Sequence, residues 1–213
     1  MKVWGLTGSI GMGKSTAARA FHRLGVPIFD ADAAVHALQA RGGRAVRPIA
    51  RAFPGTERDG ATDREALRAA VLGQPEALRR LERIIHPLVR QAQARFLARW
   101  RGRGARLVVL DIPLLFETRR DLREFDAILV VSAPAAVQRA RVLRRGGMSE
   151  ARFAAIRARQ MPDAEKRRRA DVVIRTGLSR HHAQAAVRRL VRSRGSALGT
   201  PPGTLRSHAS VQK

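Results

Sequence analysis

Residues 7–16 read TGSIGMGKST and directly follow the apolar run VWGL at residues 3–6. The stretch matches the pattern G-x-x-x-x-G-K-[ST], whose fixed positions are filled by Gly8, Gly13, Lys14 and Ser15. This pattern indicates a phosphate-binding loop where a strand precedes it and a helix follows it, and both are predicted here. The stretch therefore predicts a nucleotide site at the start of an α/β domain.

The residue types of this loop suit a triphosphate. Glycines let successive backbone N–H groups point at phosphate oxygens, and the N-terminus of the following helix adds positive potential. We expect Lys14 to reach the β- and γ-phosphates and the Ser15 hydroxyl to help hold Mg²⁺. Because GTPases, motors and small-molecule kinases share such a loop, the phosphoryl acceptor must be inferred from other residues.

Short apolar runs along the chain predict five strands separated by helical patterns. The runs are KVWGL (2–6), VPIFD (26–30), RLVVLDI (106–112), DAILVV (126–131) and ADVVI (170–174). Strands of nearly continuous apolar character are typical of a parallel sheet that helices cover on both faces. The predicted fold class is therefore α/β, with a five-stranded parallel sheet.

Two long helical segments interrupt this predicted core. The core of the single domain is assigned to residues 1–40, 104–133 and 170–194. The stretch 41–103 is too long for a simple crossover and is predicted to be an inserted helical subdomain, in which Pro87 predicts a kink or a helix boundary at His86. The arginine-rich stretch 134–169 is predicted to be a helical lid, and residues 195–213 are expected to be disordered.

Asp30 and Asp32 end the second predicted strand, in the sequence IFDAD. Ligands of open parallel sheets bind outside the carboxyl ends of the strands, so these carboxylates are expected beside the phosphate loop. An acceptor hydroxyl needs a carboxylate to orient it and take its proton. We expect at least one of the two to act in catalysis; the alternative is that one caps the next helix.

Further candidates follow the third strand, in DIPLLFE. Asp111 either supports Mg²⁺ or ends the strand as a cap, and both interpretations stay open. Pro113 and Leu114, followed by two more apolar residues, form either an apolar wall for a substrate or part of the core. His86, beside Pro87, is either a substrate contact or a packed histidine at a kink.

The net charge is +25, from 42 Lys and Arg against 17 Asp and Glu, and it suggests anionic partners, although most arginines are expected on solvated faces. Aromatic residues make up only 4% of the chain and none is tyrosine, so few side chains are available to stack on nucleic-acid bases.

The absence of cysteine excludes disulfides and thiol metal sites. No apolar stretch approaches the roughly 20 residues of a membrane span. No secretory leader is evident, so we expect a cytoplasmic protein.

Five stretches, in the same order and spacing, make the chain resemble the dephospho-coenzyme A kinase family. They are TGSIGMGKST, LGVPIFDAD, HPLV, DIPLLFE and RQMPDAEKRRRADVVI, and the resemblance covers about residues 3–190. It implies a P-loop kinase core with a helical coenzyme A subdomain and a lid. It also implies transfer of the ATP γ-phosphate to the ribose 3′-hydroxyl of dephospho-coenzyme A, with ATP and Mg²⁺ as the implied cofactors.

The resemblance assigns roles to individual residues. Asp32 matches the family's general base. Arg141 lies at a lid position, and we expect it to take part in catalysis together with Asp32 and Lys14. The ATP-binding positions implied are Gly11, Met12, Gly13, Lys14, Ser15, Thr16, Arg145 and Arg159. Substrate binding is expected from Asp30, His86, Pro113 and Leu114. The chain departs from the family pattern at Ser9, where glycine is common, and at residues 175–177, where Asn-x-Gly is common.

Two other functions compete with a kinase acting on dephospho-coenzyme A. A basic P-loop ATPase that binds nucleic acid would use the positive charge on the phosphate backbone. A nucleoside or nucleotide kinase would share the loop and the paired carboxylates, which do not by themselves name the acceptor. We expect a small-molecule substrate, with neither a membrane nor nucleic acid as partner.

Overall fold

The computed structural model describes residues 1–118 and 121–193. Its strands are β1 (Lys2–Thr7), β2 (Ile28–Asp30), β3 (Glu57–Arg58), β4 (Ala61–Thr62), β5 (Leu107–Asp111), β6 (Ala127–Ser132) and β7 (Val172–Arg175). Its helices are α1 (Lys14–Arg23), α2 (Ala31–Gln39), α3 (Val46–Ala52), α4 (Arg64–Val71), α5 (Pro75–Gly102), α6 (Leu115–Thr118), α7 (Ala135–Leu143), α8 (Glu150–Ala158), α9 (Asp163–Arg168) and α10 (Arg180–Ser193).

The principal sheet has five strands in the order β2-β5-β1-β6-β7, and its β2–β5, β1–β6 and β6–β7 pairs are parallel. All six residues of β6 are buried, which explains the unbroken apolar run there. The predicted α/β class and its five-stranded parallel sheet are confirmed. The described chain divides into two compact units, the first holding Met1–Val3 and Val26–Pro113, the second Trp4–Gly25 and the described part of Leu114–Lys213.

The first unit contains a helical core formed by α2 to α5. Its buried residues are Leu38, Ala45, Ile49, Phe53, Leu67 and Ile85. Of the two alternatives predicted at His86, a kink or a helix boundary, the boundary is wrong, because α5 continues through Pro87. Apolar residues on both sides of the proline, Ile85 and Leu88, pack on the same cluster, and this packing compensates for the backbone hydrogen bond that proline cannot donate.

The first unit also contains a small hairpin that the helical prediction for 41–103 missed. Strands β3 and β4 pair antiparallel around the dipeptide Asp59-Gly60. Both residues have positive φ, 54° and 74°, as in a type I′ turn, whose backbone matches the twist of a two-stranded ribbon. An Asp-Gly pair between short strands is the sequence signal of such a turn.

In the second unit, α1 and α10 pack against each other, with Ala17, Ala20 and Phe21 buried on α1 and Ala183 and Val187 on α10. Ser179 caps α10, because its hydroxyl accepts the His182 N–H at 3.0 Å.

The division into core, helical subdomain and lid stays a prediction, and the tail 195–213 lies outside the described residues. None of the helices in the described ranges combines the length and apolar character that crossing a bilayer requires.

Candidate active site

The loop between β1 and α1 curls because two of its glycines adopt conformations that other residues avoid. Gly11 and Gly13 have φ angles of 76° and 93°. Gly13 is the N-cap of α1, which has no side-chain cap and no acidic residue in its first turn. The positive end of the α1 dipole at this N-terminus therefore favours an anion.

Side chains from elsewhere in the second unit hold the loop from outside. Gln138 Nε2 donates to the Ile10 carbonyl at 2.8 Å, and the Ile10 N–H donates to Gln160 Oε1 at 3.1 Å. The Thr176 hydroxyl donates to the Met12 carbonyl. The path of the loop is thus fixed at residues 10 and 12.

The residues expected to contact phosphates and Mg²⁺ follow directly in the first turn of α1. Lys14 is half-buried, Ser15 is exposed and Thr16 is half-buried. An ammonium group and two hydroxyls therefore sit beside the open N-terminus of the helix. This set combines positive charge, hydrogen-bond donors and a hydroxyl oxygen, which is what a triphosphate with a hard cation requires.

The three predicted lid arginines lie on the second unit in different environments. Arg141, on α7, is half-buried and donates through Nη1 to Thr176 Oγ at 3.2 Å and through Nη2 to the Thr176 carbonyl at 2.6 Å. Arg145 follows the end of α7, Arg159 follows the end of α8, and both are exposed. Arg141 is thus already hydrogen-bonded, whereas the other two face solvent.

A buried ion pair supports the segment that carries Gln160. Lys166 Nζ lies 2.8 Å from Glu117 Oε1, and the Lys166 side chain is 0% exposed. The same Glu117 oxygen accepts the Met161 N–H at 2.9 Å. Lys166 Nζ does not meet the geometry of a hydrogen bond to Glu117, so the contact is mainly an attraction between the two charges. Glu117 thereby fixes the backbone next to Gln160.

The predicted carboxylates lie in the first unit, at the carboxyl ends of β2 and β5. Asp30 caps α2 by accepting the Ala33 N–H at 2.9 Å, so its alternative interpretation as a helix cap is confirmed. Asp32 is exposed in the first turn of α2. Asp111, 3% exposed, is the register partner of Asp30 across the β2–β5 pair. Since the helix begins at Ala31, Asp30 and Asp32 do not share an extended face.

The remaining predicted substrate residues differ in exposure. His86 is exposed on α5, Pro113 is half-buried and Leu114 is 38% exposed. Leu115 and Phe116, which the apolar-wall interpretation included, are buried and belong to the core. Of this run, Leu114 is therefore the residue open to a ligand.

No cluster of three or more His, Asp or Glu that could hold a metal occurs in residues 1–118 and 121–193. Mg²⁺ needs none, because it keeps several waters and binds one or two protein oxygens together with substrate phosphates. The exposed Ser15 hydroxyl and the Asp111 carboxylate are oxygen ligands of the right kind. Each of the two, Ser15 on the second unit and Asp111 on the first, is therefore suited to a phosphate-bound magnesium ion.

A cavity of about 1040 Å³ adjoins the outer side of the loop in the second unit. Ser9 and Met12 line it from the loop, and the other lining residues come from α7, α8, α9, the ends of β6 and β7, and the segments that connect these elements. Its size is that of small-molecule pockets in general. The sequence predicts the loop but not the side chains that contact it. Nothing marks Gln138, Thr176 stands out only within the departure at residues 175–177, and Gln160 only within the stretch RQMPDAEKRRRADVVI.

Comparison with known proteins gives consistent matches. The family model for dephospho-CoA kinase matches residues 2–180. The chain is 63% identical over 167 residues to the dephospho-CoA kinase of Paramagnetospirillum magneticum, covering 78% of each chain. It is 56% identical to that of Mesorhizobium japonicum, covering 88% of this chain and 93% of the relative. The crystal structure of TT1252 from Thermus thermophilus is similar at a TM-score of 0.77 and 36% identity, over 90% of this chain and 97% of the other.

We expect Lys166→Met to lower the free energy of unfolding by about 3–5 kcal/mol, because it leaves the largely buried Glu117 carboxylate without its cation. The double variant with Glu117→Gln should recover much of that loss, since an uncharged amide oxygen can still accept the Met161 N–H. Urea denaturation followed by circular dichroism measures both.

Arg169→Met is the matched control. It removes a cation next to the same helix, but the ion pair of Arg169 with Glu165 is partly exposed to solvent on both sides. It should cost at most about 1 kcal/mol. Equal losses for Lys166→Met and the control would contradict a structural role for the buried pair.

Proposed function

This chain belongs to the dephospho-CoA kinase family, and from that premise we propose how its residues move the γ-phosphate of ATP to the ribose 3′-hydroxyl of dephospho-coenzyme A. The observation that carries the proposal is the loop 8–16, whose curled backbone leads into an uncapped helix N-terminus with Lys14 in its first turn. Such a site favours a multiply charged phosphate over a neutral ligand.

On the nucleotide side, we assign the ATP phosphates to the segment 11–16 and to the Lys14 ammonium. Lys14 would offset the negative charge on the β- and γ-phosphates as the bond to the γ-phosphate breaks. The exposed guanidinium groups of Arg145 and Arg159 would bind phosphate oxygens, and Arg141 would supply positive charge beside the loop. Ser15 and Asp111 remain our candidate ligands for Mg²⁺, which would polarise the phosphates.

On the acceptor side, we assign general-base catalysis to Asp32. Asp30 and Asp32 are the two candidates, and Asp30 already uses a carboxylate oxygen to cap α2. The exposed Asp32 carboxylate is free of that duty and would orient the ribose 3′-hydroxyl and accept its proton. Asp30, His86, Pro113 and Leu114 remain our candidates for binding dephospho-coenzyme A. A cytoplasmic location also remains a proposal.

The reaction is tested by measuring ADP release from MgATP with and without dephospho-coenzyme A, together with the mass of the product. We expect release to depend on the acceptor and the product to gain one phosphoryl group. Acceptor-independent hydrolysis, hydrolysis stimulated by duplex DNA, or faster transfer to a nucleoside would each overturn the proposed substrate.

Asp32→Asn should lower kcat by about 10²–10⁴-fold, because an amide cannot accept the hydroxyl proton, while leaving the affinity for MgATP nearly unchanged. Steady-state kinetics and nucleotide titration separate the two effects. Asp59→Asn is a suitable control, since it removes an exposed carboxylate of the same unit and asparagine tolerates the positive φ at that turn. Near-normal turnover of Asp32→Asn would exclude Asp32 as the base.

Lys14→Ala should cost about 3 kcal/mol in transition-state stabilisation, measured as the fall in kcat/KM for ATP, because it removes a preorganised charge from the site where negative charge is redistributed. Arg23→Ala removes one positive charge from the opposite end of the same helix and should leave kcat/KM close to that of the wild type. If the two variants behaved alike, net charge rather than the loop would explain the loss.

A further inference from the structure

Thr176 joins Arg141 to the phosphate loop through a short chain of hydrogen bonds. Arg141 Nη1 donates to Thr176 Oγ at 3.2 Å, and the Thr176 hydroxyl donates to the Met12 carbonyl. Thr176 and Met12 are each only 3% exposed. A guanidinium can only donate hydrogen bonds, so Thr176 Oγ must accept the bond from Arg141. The single hydroxyl proton of Thr176 is then donated to a carbonyl.

Met12 is the better of the two carbonyls within reach of that proton. The Ser132 carbonyl lies 3.4 Å from Thr176 Oγ and already accepts the Thr176 N–H at 2.8 Å. Arg141 Nη2 also binds the Thr176 carbonyl at 2.6 Å, so the residue is held at both its backbone and its side chain. The direction of the hydroxyl proton is therefore set by its surroundings.

The contact with Met12 has a consequence for the next residue. A trans peptide is planar, and its C=O and N–H groups point in opposite directions. Holding the Met12 carbonyl on the Thr176 side therefore turns the Gly13 N–H away from Thr176. Gly13 has a φ of 93°, and a Cβ placed on it would lie 2.9 Å from Thr176 Oγ, so the threonine packs directly against this peptide.

We propose that Thr176 is a positioning residue for catalysis: it fixes the Met12–Gly13 peptide so that the Gly13 N–H is aimed at a phosphate oxygen of the bound nucleotide. Arg141 supports this by orienting the Thr176 hydroxyl. In this role Thr176 acts through the loop, by its contact with the Met12 carbonyl. The inference rests on the proposed binding of ATP by residues 8–16. A donor fixed before the nucleotide binds needs no reorganisation during the reaction.

The side chain must both accept from Arg141 and donate to Met12, so the test compares variants that differ in this capacity. Thr176→Val keeps the shape but does neither, and Thr176→Ser keeps the hydroxyl. We expect Thr176→Val to weaken MgADP binding about tenfold and to raise the KM for ATP, with the KM for dephospho-coenzyme A unchanged. Thr176→Ser should stay within about twofold of the wild type. Calorimetric titration with MgADP and steady-state kinetics provide these values.

Thr56→Val is the matched control. Thr56 is equally buried, and its hydroxyl donates to a backbone carbonyl, that of Phe53, at 2.6 Å in the other unit. The control should lower the melting temperature about as much as Thr176→Val but leave MgADP affinity unchanged. If Thr176→Val does not fold, Thr176→Cys replaces it in the test, because a thiol is a weaker donor than a hydroxyl. Its MgADP affinity should be lower than that of the wild type, by less than tenfold.

Several outcomes would overturn the inference. Thr176→Val or Thr176→Cys binding MgADP as tightly as the wild type would reduce Thr176 to a structural residue. A loss of affinity in Thr176→Ser equal to that in Thr176→Val would show that the hydroxyl is not responsible. Failure of the proposed function is distinguishable, because the wild-type protein itself would then neither bind MgADP nor transfer phosphate.

Discussion

A loop can present its N–H groups to an anion only if its carbonyl groups are held away from that anion. A phosphate repels carbonyl oxygens, and each carbonyl is rigidly coupled to the following N–H through the peptide plane. In this protein, the carbonyls of Ile10 and Met12 are taken up by Gln138 and Thr176. The opposite edges of those peptides, the N–H groups of Gly11 and Gly13, are thereby directed the other way. The glycines make the curl possible, and the surrounding side chains select its direction.

This arrangement requires that the supporting side chains be fixed themselves. Gln160, which accepts the Ile10 N–H, precedes a residue whose own N–H is bound by Glu117, and Glu117 is paired with the fully buried Lys166. A buried ion pair contributes little net stability, since desolvation of both charges offsets their attraction. The pair matters more for geometry. Because the Glu117 carboxylate is held toward Lys166, it also stays within hydrogen-bonding distance of the Met161 N–H. We therefore interpret the pair as a device that sets the position of the segment behind the loop.

The sequence predicts what depends on local pattern and misses what depends on distant contacts. The loop and the five strands were predicted because their glycines, lysine and apolar runs are contiguous. The contacts of Thr176 and Gln138 with the loop were not, since they span 164 and 128 residues of chain and no local pattern predicts such a contact. Of the kink or boundary that Pro87 predicts, the boundary does not occur, because packing on both sides of the proline outweighs a missing hydrogen bond. The Asp59-Gly60 turn had a local signal, which the helical periodicity around it obscured.

The large positive charge can be explained by the proposed reaction without any second partner. With 42 basic against 17 acidic side chains, most arginines cannot form ion pairs, and in residues 1–118 and 121–193 Lys166 is the basic side chain that is buried. Exposed charges act on a ligand over a screening length of about 8 Å at physiological ionic strength, which favours approach of any anion but does not select one. ATP and dephospho-coenzyme A are both polyanions, so one field attracts both substrates. Selection between anions must then come from fixed short-range donors, and the loop held by Gln138 and Thr176 is the place where this chain provides them.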